Sequence, residues 1–153
     1  MADEERLLEL FKCHPYLIDD ELENFELIAR TYRNGTQPDL LFYKHNPPCE
    51  IVIVEIKSGA IDHNAVNQIY SYIRKERNYS GCGNIRGIII GRTISDNAVK
   101  LLQQISENKN INISVKILGQ DVPEKVKYCI KCRKANWFNA QKCKYCGNQK
   151  FFT

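Results

Sequence analysis

The stretch Ile51-Val52-Ile53-Val54-Glu55-Ile56-Lys57 decides the fold that this sequence predicts. Its first four residues are all apolar, which is typical of a strand buried on both faces inside a sheet. Because side chains alternate along a strand, Glu55 and Lys57 lie on the same face. Two charges inside a sheet are costly unless something compensates them. Two interpretations are open: a Glu55–Lys57 ion pair on an edge strand, or a site that binds a divalent cation.

A second strand is predicted just before this one. Residues 38–44 read Pro-Asp-Leu-Leu-Phe-Tyr-Lys and run into a stretch rich in Asn and Pro, which is typical of a turn. A proline is acceptable at the first position of a strand, where no ladder hydrogen bond is lost. A hairpin folded about residues 46 and 47 pairs Phe42 with Ile51.

The same hairpin brings Asp39 beside Val54 or Glu55, so that two carboxylates and the Lys57 amine converge at one end. The carboxylates and the intervening carbonyl of Ile56 are hard oxygen ligands of the kind that Mg²⁺ and Mn²⁺ prefer. We predict such a metal site, with Lys57 near a reacting water or phosphate. The alternative for Asp39 is an ordinary residue next to a turn.

The remaining segments predict helices and strands in the order α-β-β-β-α-β-α-β, followed by a cysteine module. This order predicts an α/β fold with a mixed sheet and helices on both faces. We divide the chain into a domain over 1–118, a linker over 119–127 and a module over 128–153. The other predicted elements are a helix over 7–11 followed by a helical turn over 15–22, a strand over 25–33, a helix over 62–77 capped by Asp62, a strand over 86–91, a helix over 96–107 capped by Ser95, and a strand over 111–118.

Gln68 and Tyr72 lie four residues apart on the helix predicted over 62–77, so their side chains project the same way. An amide and a phenol facing the Glu55/Lys57 strand can orient a water or hold a phosphate. The alternative is a boundary glutamine beside a tyrosine whose hydroxyl reaches solvent. Glu55 and Lys57 favour the functional interpretation.

The sequence contains seven cysteines, and four of them form the pairs Cys129/Cys132 and Cys143/Cys146. Two Cys-x-x-Cys pairs supply the four thiolates of a tetrahedral structural Zn²⁺ site. About 25 residues cannot form a core without the metal. The other three cysteines, Cys13, Cys49 and Cys82, are interpreted as free structural thiols in a reducing compartment.

The net charge of +4 is unevenly distributed. Residues 125–153 contain eight Lys or Arg and no Asp or Glu, whereas residues 1–26 hold nine carboxylates. A basic tail on an acidic body favours contact with a polyanion, and a merely solubilising tail is the alternative.

The chain shows neither a secretion signal nor an apolar run long enough to span a membrane, so a cytoplasmic location, or a nuclear one in a eukaryote, is expected.

Three motifs together resemble the PD-(D/E)xK nuclease superfamily: Pro38-Asp39, Glu55-Ile56-Lys57 and Gln68-x-x-x-Tyr72. The predicted αβββαβ order is similar to the restriction-endonuclease-like core of that superfamily. Over about residues 7–118 the chain is similar to the catalytic domain of archaeal and actinobacterial NucS endonucleases. The residues that carry this similarity lie at 14–19, 31–33, 39–42, 53–59, 65–72 and 86–88.

The resemblance implies that Asp39, Glu55 and the Ile56 carbonyl bind the catalytic metal, while Lys57, Gln68 and Tyr72 act on the water and phosphate. It also implies an acidic residue in the first helical segment, which falls on Asp19 as a possible further ligand. NucS proteins carry an N-terminal DNA-binding and dimerising half that this sequence does not match. Their mismatch or flap specificity is therefore not carried over.

The cysteine module resembles the small zinc fingers named after a Ran-binding nucleoporin, because Asn136 follows Cys132 by four residues. Members of that family bind single-stranded RNA or ubiquitin. Lys127 replaces their tryptophan before the first cysteine, which is a departure from the family. Arg133-Lys134 replaces the Thr-Phe pair linked with ubiquitin, which disfavours ubiquitin binding. Base stacking is expected of Trp137 and Tyr145, and phosphate contacts are expected of Arg133, Lys134, Lys142 and Lys144. A purely structural zinc ribbon is the alternative.

The sequence as a whole predicts an Mg²⁺- or Mn²⁺-dependent DNA endonuclease with a structural zinc module that helps to hold DNA or single-stranded nucleic acid. Two other functions are open: a structure-selective resolvase acting as a homodimer, and an inactive nuclease fold that serves as an adaptor. The retained Asp39, Glu55 and Lys57 disfavour the adaptor.

Overall fold

The structure is a computed structural model that describes residues 3–109 and 111–153. Its centre is a five-stranded sheet in the order β1-β2-β3-β5-β7, in which β1, β2 and β3 pair antiparallel and β3, β5 and β7 pair parallel. A further pair, β4 and β6, is parallel, and β8, β9 and β10 form a small antiparallel sheet. The strands are β1 Glu26–Ile28, β2 Leu40–Lys44, β3 Glu50–Ile56, β4 Ala60–Ile61, β5 Ile85–Gly91, β6 Thr93–Ile94, β7 Asn112–Ile117, β8 Val126–Cys129, β9 Ala135–Trp137 and β10 Phe151–Phe152.

Helices cover both faces of the central sheet. They are α1 Asp3–Cys13, α2 His63–Ser80 and α3 Asp96–Lys109, with 3₁₀ turns at Pro15–Leu17 and Asp20–Asn24. Ile51 and Ile53 of β3 pack with α2 and α3, whereas Val52 and Val54 pack with α1 and the 3₁₀ turns. Every residue from Ile51 to Ile56 is buried. The prediction of a mixed α/β fold around an interior strand is therefore confirmed.

The hairpin register differs by one residue from the predicted one. Phe42 pairs with Val52, and Leu40 pairs with Val54. The predicted pairing of Phe42 with Ile51 is wrong, because the turn between Lys44 and Glu50 is centred on Pro47 rather than between residues 46 and 47. The observed register extends to place Asp39 opposite Glu55.

The strand predicted over 25–33 is shorter than expected, since only Glu26–Ile28 pairs with β2. Beyond Ile28 the chain leaves the sheet, and Arg30 and Tyr32 turn their side chains towards Glu76 of α2. The cap prediction for α2 is confirmed, because the Ala65 N–H donates to the Asp62 carboxylate over 2.9 Å. The strands β4 and β6 were not predicted, because two residues carry no periodicity.

Cys49 and Cys82 form a disulfide with their Cα atoms 6.0 Å apart. The prediction of free thiols is wrong for these two residues, whereas Cys13 is free and exposed. The parallel pairing of Ile51 with Ile85 explains the disulfide. Because β3 and β5 begin at the same edge of the sheet, the residues just before them lie close together.

The segment predicted as a linker packs into the body of the protein. Val122 has no exposed surface and lies in the core cluster beneath α1, and β8 begins at Val126. Ala135 of the cysteine module lies in the same cluster. The division of the chain at residues 118 and 128 stays a prediction. No helix in the described ranges is long and apolar enough to cross a bilayer.

Candidate active site and cysteine module

Asp39 and Glu55 lie opposite each other at the end of the β2–β3 hairpin, and each carboxylate accepts a backbone hydrogen bond. The backbone N–H of Asp39 donates to Glu55 Oε1 over 2.9 Å, and the backbone N–H of Ile56 donates to Asp39 Oδ2 over 2.8 Å. The hairpin register therefore brings together the two carboxylates that the sequence singled out. One oxygen of each carboxylate takes part in these bonds.

The surroundings of this pair disfavour two negative charges. Glu55 is only 3% exposed, and burial together with the nearby Asp39 carboxylate raises the pKa of Glu55 to about 8. Asp39 is exposed, although its carboxylate accepts a hydrogen bond from the Ile56 N–H. The protein around its carboxyl group nevertheless raises its pKa, and the negative charge of Glu4 adds to this effect. An added cation would relieve the repulsion between the carboxylates.

Lys57 does not neutralise Glu55 by direct contact. Within residues 3–109 and 111–153, no carboxylate lies within 4.0 Å of the Lys57 ammonium. Its backbone N–H donates to the Ile90 carbonyl over 2.8 Å, which fixes the main chain. The side chain lines a polar cleft of about 530 Å³ together with Asn64, Asn67 and Gln68. The ion-pair interpretation of Glu55 and Lys57 is therefore not supported.

Gln68 and Tyr72 project from α2 towards the same region. Gln68 Nε2 donates to the Tyr72 hydroxyl over 3.1 Å. Tyr72 is 4% exposed, and burial, followed by the charge of Glu55, raises the pKa of its hydroxyl. Gln68 is exposed at the rim. The structure thus places the phenol near the carboxylate pair and leaves the amide facing the cleft that Lys57 lines.

Sequence reasoning missed Glu4, which lies in the first turn of α1. Its carboxylate accepts a hydrogen bond from the Ser58 N–H over 3.3 Å, and its charge acts on Asp39. No spacing rule connects residue 4 with residue 39, because only the packing of α1 against β3 brings them together.

Glu76 is a second residue near the site that sequence reasoning missed. Glu76 is fully buried, and both of its oxygens accept from Arg30, at 2.8 and 3.2 Å. The Tyr32 hydroxyl donates to the same carboxylate over 3.0 Å. The Tyr32 ring stacks on the Tyr72 ring with a centroid distance of 5.9 Å. This network fixes the segment that leads from β1 to Asp39.

The structure does not bring Asp19 to the carboxylate pair. Asp19 caps a 3₁₀ turn by accepting from the Glu21 N–H, and its other oxygen lies 3.4 Å from Arg86. Arg86 pairs with Val52, whose side chain lies on the α1 face of the sheet, opposite the face of Glu55. The structure therefore offers no support for the suggested ligand role of Asp19, and Glu4 is the acid of the first helix that lies near Asp39.

The carboxylate pair fits a small hard cation that keeps part of its water shell. Asp39 and Glu55 supply two side-chain ligands, and Mg²⁺ is commonly held by one or two carboxylates plus water and phosphate oxygens. In the described part of the chain, the only cluster of three or more ligand side chains close enough for one metal ion is the four-cysteine cluster. The remaining ligands of an active-site cation would therefore come from backbone, water and substrate.

The four cysteines meet as the sequence predicts. Their Sγ atoms all lie within 4.8 Å of one another, and Cys129–Cys146 and Cys132–Cys143 are each separated by 3.5 Å. A tetrahedral ion with Zn–S bonds of about 2.3 Å requires separations of about 3.8 Å. Burial opposes ionisation of Cys143, but N–H donors from Tyr145 and Asn136 lower its pKa to about 6. The cluster fits Zn²⁺.

The predicted nucleic-acid-binding residues of this module serve two different roles. Lys134 pairs with Glu23, and Lys144 pairs with Asp20 over 3.0 Å, so both are engaged with the acidic 3₁₀ turn of the body. Trp137 is half-buried. Two of the predicted residues, Arg133 and Lys142, are exposed and carry no carboxylate partner within 4.0 Å among the residues that the structure describes.

The module is also joined to the body by tyrosines. The Tyr16 hydroxyl accepts a hydrogen bond from the Ala135 N–H over 2.8 Å, and its ring meets the Tyr145 ring edge-on at 5.2 Å. These contacts together with the Lys134 and Lys144 pairs explain why part of the basic tail faces protein. Sequence reasoning assigned Tyr145 to base stacking, whereas the structure shows that this ring packs against the body.

Comparison with known proteins agrees with this geometry. The sequence profile of the endonuclease NucS C-terminal domain matches residues 3–138. The fold is similar to a repair endonuclease from Pyrococcus abyssi, with a TM-score of 0.58 and 23% identity over 77% of this chain and 47% of that one. It is also similar to EndoMS in its apo form, with a TM-score of 0.54 and 22% identity over the same shares of the two chains.

A third similar structure is an EndoMS complex with double-stranded DNA, with a TM-score of 0.56 and 23% identity over 76% of this chain and 46% of that chain. This chain therefore spans about half the length of the solved structures that it resembles. No protein of curated function matches the sequence.

Proposed function

This chain belongs to the endonuclease NucS C-terminal domain family, and from that membership we propose that it is a metal-dependent endonuclease of the PD-(D/E)xK type acting on DNA. One observation carries the proposal: two facing carboxylates, one of them buried with a pKa of about 8, have no lysine within ion-pair distance among the residues that the structure describes. A site that is electrostatically unfavourable without a cation is typical of a functional rather than a structural carboxylate pair.

Each residue of the site has a defined part in this proposal. Asp39 and Glu55, with the carbonyl of Ile56, would hold Mg²⁺ or Mn²⁺, which supplies Lewis acidity and a more acidic water. Lys57 positions the attacking water and neutralises charge that develops on the phosphate. Gln68, which Tyr72 orients through its hydroxyl, offers an amide to the water or to a phosphate oxygen. Tyr32 and Glu76 hold Tyr72 and the loop before Asp39 in place.

The cysteine module would bind zinc and brace the body. Its contacts through Lys134, Lys144 and Tyr145 support this structural role. Of the predicted nucleic-acid-binding residues, Arg133 and Lys142 are the two that we propose contact DNA phosphates.

Cleavage of DNA should require Mg²⁺ or Mn²⁺ and should fail with Ca²⁺, whose looser coordination suits binding without turnover. The measurement is the initial rate on a labelled panel of duplex, single-stranded, flapped, mismatched and four-way DNA. Since a chelator can also remove zinc, the control adds back Zn²⁺ alone after chelation, which should not restore cleavage. Full activity in the chelator would contradict the mechanism.

If Arg133 and Lys142 contact phosphates, the double substitution Arg133→Ala/Lys142→Ala should weaken duplex binding. The slope of log K against log salt should flatten by up to about 1.8, because each lost phosphate contact removes roughly 0.9. The control is Lys131→Ala/Lys150→Ala, which removes two charges elsewhere on the module. An unchanged slope in Arg133→Ala/Lys142→Ala would show that the module has only a structural role.

A further inference from the structure

A second cleft lies along α2 beyond the carboxylate site. It has a volume of about 580 Å³ and is lined by Tyr32, Arg33, Asn34, Lys75, Asn78 and Tyr79. The described lining contains two cations and no carboxylate. The buried Glu76 beneath it is already paired with Arg30. The cleft is therefore positively charged, and of its lining residues only Tyr32 has a part in the mechanism above.

Lys75 connects this cleft to the active site. Its ammonium donates to Thr36 Oγ1 over 3.1 Å and lies 5.8 Å from the centre of the Tyr72 ring. No carboxylate within the described residues lies within 4.0 Å of Lys75 or of Arg33. Two cations without a carboxylate partner, beside the tyrosine rings of the wall, suit an anion that reaches in from the neighbouring site.

Tyr79 provides the aromatic side of the cleft. Its side chain is 65% exposed, which is unusual for an aromatic residue. The Arg30 guanidinium lies 4.1 Å from the ring centroid, and Arg30 is itself anchored by Glu76, so this contact fixes the ring without covering most of it. A rigid and largely accessible ring beside two cations is the arrangement with which proteins hold unpaired nucleotides.

We propose that this cleft is a nucleotide subsite, in which Arg33 and Lys75 bind a backbone phosphate and Tyr79 stacks on an unpaired base of the same strand. The proposal rests on the proposed function and extends it to substrates with an unpaired nucleotide beside the cleaved bond. Tyr79 follows Tyr72 by seven residues, about 10 Å along the helix. This distance corresponds to roughly three stacked nucleotides.

The test measures equilibrium binding of the full chain without Mg²⁺ or Mn²⁺, so that cleavage plays no part. The probes are a fluorescein-labelled oligothymidylate and a blunt duplex of equal length. Tyr79→Ala should weaken oligothymidylate binding by roughly tenfold, because stacking contributes about 1–3 kcal/mol per base, and should change duplex binding much less. Tyr79→Phe should restore the affinity, since the ring is retained.

The roles of Arg33 and Lys75 are tested separately, by the salt dependence of oligothymidylate binding. Arg33→Ala and Lys75→Gln should each flatten the salt slope for oligothymidylate by about 0.7, the value for one contact with a single strand. The matched controls are Arg77→Ala, an exposed α2 cation outside the cleft, and Phe138→Ala, an exposed aromatic residue on the cysteine module. Neither control should change the slope or the preference for single strands, and melting curves verify that each variant is folded.

The proposal is overturned if Tyr79→Ala leaves the affinity for oligothymidylate unchanged, or if Tyr79→Phe fails to restore it. It is equally overturned if the slope does not change in Arg33→Ala and Lys75→Gln. The binding test does not depend on cleavage, so the subsite can be confirmed even if the protein proves to be inactive as an endonuclease. If the variants show that the subsite does not exist but the protein still cleaves DNA, only the subsite proposal is rejected.

Discussion

Replacing Glu55 with glutamine should abolish DNA cleavage and at the same time stabilise the protein when Mg²⁺ and Mn²⁺ are absent. Cleavage should fall by about a thousandfold or more, because a catalytic cation contributes several kcal/mol and about 1.4 kcal/mol corresponds to a factor of ten in rate. Glutamine retains an oxygen that accepts the hydrogen bond from the Asp39 N–H. The fold around the site should therefore be preserved.

The stabilising effect should depend on pH in a defined direction. Folding raises the pKa of Glu55 from 4.5 to about 8, so the folded protein holds a proton that the unfolded chain releases between these values. The wild-type protein consequently loses stability as the pH rises through this window, whereas glutamine does not titrate. The advantage of the variant should grow from about pH 5 and level off above pH 8, at a few kcal/mol.

The measurement is the free energy of unfolding of both proteins across this pH range, with zinc left bound. Lys57→Ala is the companion variant, because it should also abolish cleavage but should not give the pH-dependent stabilisation. Destabilisation by Glu55→Gln at pH 9 would show that Glu55 is a structural ion-pair partner. Retained cleavage in both variants with wild-type melting would remove the endonuclease assignment.

Substituting a zinc ligand, by Cys129→Ser or Cys146→Ser, should release the metal and destabilise the whole chain. The wild-type protein should contain about one Zn²⁺, and structural sites of this kind contribute roughly 10–16 kcal/mol of binding energy to folding. From the predicted division of the chain alone, residues 1–118 would be expected to stay folded without the zinc. Because Val122 and Ala135 lie in the core cluster of the body, we expect the loss of zinc to destabilise residues 1–118 as well.

Loss of the module should uncover the acidic 3₁₀ turn and the Tyr16 side chain. We expect the melting temperature of the body to fall by roughly 5–10 °C, because 1 kcal/mol shifts it by about 2–4 °C at this chain length and several contacts are lost. Tyr16→Phe is the control, since it removes the hydrogen bond to Ala135 and keeps the zinc. It should lower the melting temperature by less and leave the metal content unchanged. An unaltered body in the zinc-free variants would mean that the two parts are independent.

Most of the fold could be predicted from local patterns in the sequence. The apolar run before Glu55 defined the interior strand, and Asp62 defined the start of α2, because each signal lies within a few neighbouring residues. The pairing of Asp39 with Glu55 followed from the hairpin, although the exact register depended on a turn whose centre no local rule fixes. These features could be predicted since their partners are close along the chain.

The features that escaped prediction join distant segments. Arg30 meets Glu76 across 46 residues, and Glu4 reaches Ser58 across 54 residues. The docking of the cysteine module, with Lys144 on Asp20, depends on surfaces that only the assembled fold creates. The basic residues of the module suggested that it binds a polyanion. Composition alone cannot show that some of these residues pair with acidic residues of the same chain.

The contacts between the 3₁₀ turns and the cysteine module also determine when the chain can finish folding during its synthesis. The Tyr16–Ala135 bond spans 119 residues and the Asp20–Lys144 pair spans 124. At about 5–20 residues per second, translation leaves the first partner uncovered for roughly 6–24 s after it is made. The module cannot close until Cys146 has been added and zinc captured. A chain released before Lys144 would therefore contain the strand of Glu55 but would leave Asp20 of the acidic 3₁₀ turn without its lysine partner.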